Sequence, residues 1–194
     1  MDSVCKEFDN SKSLHGLELP TVKSYEMVTY EGRNGILYDR IDGISMLDIL
    51  LQTEDIEKYA NALARLHKQM LACKLRGAIS LKSILKRNIE DTDHLSRPNK
   101  SKLKNVCREH EYGDIARTVY LIEMTPVPAQ THNAERILVM KKQATEIYLQ
   151  EIGVNRKRLS EWLVVIAAAR LSELSNEQAD EKNSVLEYLA KQGI

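Results

Sequence analysis

The chain has 194 residues, 43% of them apolar and 29% charged, and Lys plus Arg equals Asp plus Glu at 28 each. That length carries one packed domain, or one lobe and a half, and the zero formal net charge gives no general pull toward nucleic acid or anionic lipid. Cys5, Cys73 and Cys107 are far apart and show no C-x-x-C spacing, so neither a disulfide framework nor a zinc site is indicated.

Residues 1–18 are polar and aperiodic and read as a loose N-terminal arm, without the charged-then-apolar pattern of a signal peptide. Two strands are expected over Val22 to Tyr30 and Gly35 to Arg40. Gly32 and the Asn34-Gly35 pair would supply the positive φ of a tight hairpin turn between them. From Ser45 to Lys74 the apolar residues Ile56, Tyr59, Ala60, Leu63, Leu66, Met70 and Leu71 recur at helical spacing. Thr53 is the expected N-cap of the second part of that region, and Gly77 its stop.

A further helix is expected over Leu81 to Ile89 with Ser80 as its cap. Residues 91–112, which include Pro98, show no sustained period and read as a helix end, a linker and a short connection. Asp114 to Glu123 reads as a helix ended by Pro126 and Pro128. Asn133 is placed to cap a helix over Ala134 to Glu151, whose apolar side is Ile137, Leu138, Ala144, Ile147 and Tyr148, with Gly153 as its stop. The strongest helical pattern runs from Lys157 to Leu174 through Leu159, Trp162, Leu163, Ile166 and Ala167. Its Ala167-Ala168-Ala169 run permits close approach of a neighbour. Ser175 and Gln178 form a capping box before a last helix over Glu177 to Lys191. The longest apolar run, Leu163 to Ala169, is too short to cross a bilayer, and a cytoplasmic setting is expected.

Three runs carry a resemblance: Gly35-Ile-Leu-Tyr-Asp-Arg-Ile-Asp-Gly43, Gly113-Asp-Ile-Ala-Arg-Thr-Val-Tyr-Leu121 and the segment from Trp162 to Glu173. With Ala64-Arg-Leu-His-Lys-Gln-Met70 between them, they resemble the aminoglycoside phosphotransferase family and its choline-kinase-like relatives. The resemblance implies an α+β, kinase-like fold: small-lobe and hinge strands over 19–43, then a helical lobe over 44–194. It implies ATP and Mg²⁺ as cofactors, and phosphoryl transfer to a small-molecule hydroxyl. It also places Asp39, Arg40 and Ile41 where the family's hinge backbone meets the adenine edge; an ordinary strand end before Gly43 is the alternative. Lys6 resembles the strand lysine that grips ATP phosphates, although a solvated lysine on the arm accounts for it as well.

In that family an H-G-D-x-x-x-x-N catalytic loop and an I-D-W or I-D-F metal segment lie just before the D-x-A-R-T run, and neither stands here. The nearest residues, His110 and Asp114, are four apart, and five residues beyond Asp114 stands Val119, which cannot ligate a metal. From Leu103 to Gly113 there are 11 residues, spanning at most about 40 Å, too few for two loops and their supporting strands. Loss of such charge stabilisation costs several orders of magnitude in rate. No catalytic residue, metal ligand or resident cofactor is therefore expected, and no nucleic-acid or membrane partner. His67 reads as a packing histidine, and the Cys107–His110 pair as an unsupported nucleophile and base. The expected function is that of an internally truncated, catalytically silent phosphotransferase relative for which a nucleotide is a possible ligand. The alternative is a helical interaction module, with self-association through apolar helix faces left uncovered by the lost strands.

Overall fold

A computed structural model of the chain describes residues 3–17, 19–73, 80–107, 112–127 and 131–194, and within these the fold is α+β. It has a small antiparallel hairpin near the N-terminus and a mostly helical C-terminal region. The chain divides into two compact units, Met1–Ala78 and Ile79–Ile194.

In the first unit the expected arm is a helix, α1 (Ser3–Leu14). Polar bonds anchor it to the hairpin: Ser11 Oγ donates to Ser24 Oγ at 2.7 Å, Ser24 N donates to His15 Nε2 at 3.0 Å, and Tyr38 Oη donates to Glu7 Oε1 at 3.3 Å. A helix docked this way leaves little apolar periodicity to read. Strands β1 (Ser24–Tyr30) and β2 (Arg33–Tyr38) pair antiparallel, with Tyr30 opposite Arg33 and Thr29 opposite Asn34. The positive φ values fall on Glu31 (49°) and Gly32 (75°). Asn34 and Gly35 lie inside β2, so the turn falls on Glu31-Gly32, three residues before the Asn-Gly pair.

Two helices follow, α2 (Met46–Thr53) and α3 (Ile56–Ala72). Ser45 caps the first, accepting from Asp48 N at 3.1 Å. The cap of α3 is Asp55, which accepts from Lys58 N at 3.2 Å; Thr53 instead ends α2, donating to Ile49 O. Left-handed Glu54 makes the break between them. The apolar stripe of α3 is buried at Ala60, Ala64 and His67 but emerges at Met70 and Leu71, and Gly77 lies outside the described residues.

Among the described residues the second unit has six α-helices and one π-helical turn, with α8 (Arg156–Arg170) contacting most of the others. Helix α4 (Leu81–Asp91) buries Leu85 and Ile89. Residues 97 to 106, read as linker, form α5 (Arg97–Val106). Pro98 sits in its first turn, where a missing N–H costs nothing, and Ser96 accepts from Asn99 N. Leu103 is its one buried residue, too little for a sequence period. Helix α6 (Gly113–Val119) passes into a π turn over Tyr120–Met124, with Pro126 just beyond. Helix α7 (Ala134–Ile152) ends at left-handed Gly153; it buries Met140, Tyr148 and Leu149, whereas Leu138 is exposed. The Ala167-Ala168-Ala169 run of α8 is fully buried, and α4 and α6 both pack on that helix. Ser175 and Gln178 form the capping box ahead of α9 (Ala179–Lys191), which buries Val185 and Leu189.

Candidate functional site

The three residues expected at a nucleotide hinge follow β2 directly. The Asp39 amide donates to Lys23 O at 3.0 Å, which continues the hairpin ladder one step past the strand. Its carboxylate accepts from Lys23 N at 3.1 Å and from the Tyr25 hydroxyl. That hydroxyl, then the Lys23 amide, hold the Asp39 carboxyl below its ordinary value, and the same contact raises the Tyr25 phenol. Arg40 pairs with Asp42 at 2.8 Å in full solvent, and Ile41 is 72% exposed. Asp39 is thus spent on the hairpin. Arg40 and Ile41 follow the hairpin with their side chains exposed. Lys6 lies exposed on α1.

A different set of residues organises the helical unit. Glu181, from α9, receives the Tyr120 hydroxyl and Arg170 Nε on the same Oε1, each at 3.0 Å. Arg170 Nη1 also donates to Glu173 Oε2 at 3.0 Å, and Asn88 Nδ2 donates to Glu173 Oε1 at 2.8 Å. Arg117 Nη1 lies 3.8 Å from Glu173 Oε1. Five segments are tied together: α4, α6, the π turn, the end of α8 and α9. Burial first, then the Glu181 contact, pushes the Tyr120 phenol far above its ordinary value.

Beside this network lies a cleft of about 380 Å³, lined by Arg87, Asn88, Asp91, His94, Ser172 and Glu173 among others. Each oxygen of Glu173 already accepts a hydrogen bond, Oε1 from Asn88 and Oε2 from Arg170, which fixes that carboxylate within the network. The sequence run Ala-Ala-Ala-Arg-Leu-Ser-Glu contains Arg170 and Glu173 at a spacing of three, a legible signal for that ion pair. Nothing in the sequence linked Tyr120 to Glu181.

The remaining sequence candidates separate. Asp114 is exposed in the first turn of α6, next to a cavity of about 170 Å³ lined by Ser80, Leu81, Lys82, Gly113 and Trp162. Val119, five residues on, is 1% exposed and belongs to the core. His67 is buried on α3. Cys107 is wholly buried, and burial pushes its thiol up, away from the reactive thiolate; its supposed partner His110 lies outside the described residues. Among the described residues no group of three His, Cys, Asp or Glu side chains is placed to hold a metal ion, and no helix is long and apolar enough to cross a membrane. No family model matches the chain, and neither does a curated protein or a solved structure.

Proposed function

We propose that this chain is a phosphotransferase relative of the aminoglycoside and choline-kinase type that does not itself transfer phosphate. The observation that carries the reading is the distance between helices. Helix α5 runs to Val106 and α6 starts at Gly113, which leaves six residues where the family's catalytic loop, strand pair and metal aspartate belong. The carboxylates nearby are committed elsewhere: Glu173 and Glu181 neutralise Arg170. Phosphoryl transfer needs an aspartate on the attacking hydroxyl and metal ions across the phosphates, and these positions have no occupant in the sequence.

Nucleotide contact, on this reading, is limited to the hinge backbone at Arg40 and Ile41. Without a glycine-rich loop or a lysine–glutamate pair to hold the phosphates, affinity is weak. Calorimetric titration with ATP and Mg²⁺ tests this: the expected dissociation constant is about 1 mM or weaker, and micromolar binding overturns it.

A second reading, an interaction module, has support at one of its two expected faces. The Leu159 to Leu174 stripe is consumed by the core, but α3 leaves Met70 53% and Leu71 44% exposed. Replacing both with Glu and measuring molar mass by light scattering tests it. A mass unchanged by the replacement removes this reading.

A further inference from the structure

The two units are held by very different amounts of buried apolar surface. Among the described residues, Met1–Ala78 buries only two apolar side chains, Ala60 and Ala64, and its other buried residues are Ser24 and His67. Ile79–Ile194 buries Leu85, Ile89, Tyr120, Tyr148, Trp162 and Ile166 among many others. Twelve of the fifteen large apolar side chains that stay exposed among the described residues belong to the first unit. Burial of apolar area is the main term that offsets the entropy of ordering a chain, and two alanine methyls supply little of it.

The elements of the first unit are also weak singly. A lone two-stranded hairpin is marginal in water, and the β1-β2 sheet has no third strand among the described residues. Helix α2 has eight residues, too short to persist alone, and buries none of them. Helix α1 is tied to the hairpin through polar bonds such as Ser11 to Ser24. Each contributes little net, because water offers the same bond to the open chain.

We propose that Met1–Ala78 opens and refolds by itself while Ile79–Ile194 stays folded. A region with few buried apolar contacts opens locally, at a cost well below that of global unfolding. Arg40, Ile41, Met70 and Leu71, on which the two readings of the function rest, all lie in this unit. A ligand bound at any of them would therefore raise the stability of the first unit and leave that of the second unchanged. The proposal does not depend on which reading holds.

The test is native-state hydrogen exchange of the full chain, comparing Ala60 to His67 of α3 with Val165 to Ala169 of α8. Protection on α3 is expected to be at least about a hundredfold below that on α8. The chain has one tryptophan, Trp162, buried on α8, so its fluorescence in urea follows the second unit alone. Ala60→Asp with Ala64→Asp strips the first unit of its buried methyls. Protection on α3 should vanish, while the Trp162 midpoint stays within about 0.2 M of the parent chain. A protection ratio smaller than a hundredfold in the parent chain overturns the proposal. So does a Trp162 midpoint that falls further in the double variant; should that variant aggregate, exchange in the parent chain decides.

Discussion

Glu181 and Arg170 meet at 3.0 Å, with Glu181 accepting from Arg170 Nε on the oxygen that also receives the Tyr120 hydroxyl. The side chains are 23% exposed for Arg170 and 10% for Glu181, so water screens the pair only in part. Removing one member strands the other. Glu181→Ala should destabilise the helical unit by about 2–3 kcal/mol, below the full value for a wholly buried pair because Arg170 keeps some solvent and Glu173. Glu181→Gln keeps an acceptor for Tyr120 and should cost less. Urea unfolding followed by circular dichroism reads both.

Gly113 is a point of close approach of α6 to both α4 and α8. A Cβ there would lie 3.1 Å from Leu81 Cδ2 and 3.2 Å from Trp162 Cζ3. Gly113→Ala should therefore cost about 1 kcal/mol and Gly113→Val about 2–3 kcal/mol, since neighbours in a packed core yield little. The urea midpoint should fall in that order.

Alkaline pH should unfold the chain through its buried phenols. Burial pushes Tyr148 up to about 12 from its ordinary 10, and raises Tyr120 and Tyr188 as well. A raised phenol pKa means the folded state holds its proton longer. The stability is fully present below pH 10 and is lost as pH rises toward the folded value. Each such tyrosine contributes a slope of up to about 1.4 kcal/mol per pH unit. Tyr148→Phe should remove one proton's worth of that slope between pH 10 and 12, and an unaltered slope would contradict the assignment.

The Tyr25–Asp39 contact makes a narrower prediction. Because the tyrosine hydroxyl is the first cause of the lowered Asp39 carboxyl, Tyr25→Phe should return its NMR titration midpoint toward the ordinary aspartate value. A midpoint that does not move assigns the shift to the Lys23 amide instead.

What the sequence revealed follows from which residues hold each element. Helix α8 was legible because Leu159, Trp162 and Ile166 put apolar side chains on one face. The Ser175–Gln178 box was legible because its two hydrogen bonds demand those residue types at that spacing. Helix α1 was not, because Ser11, His15 and Glu7 dock it through polar bonds whose partners lie 9 to 31 residues away. Helix α5 hid behind Pro98, which breaks a helix interior but opens a first turn equally well. Of the polar network, Arg170 and Glu173 were readable as neighbours on one turn. The closure by Glu181 on Tyr120 spans 61 residues and follows from packing alone.

On the proposed reading the chain does not move a phosphoryl group, which is tested most directly by incubating the protein with γ-labelled ATP, Mg²⁺ and a panel of small-molecule alcohols, including aminoglycosides and choline. No label above the protein-free blank is expected for any acceptor. Transfer above the blank that is lost in Asp114→Asn would contradict it, because an acidic group near α6 would then be serving the acceptor after all.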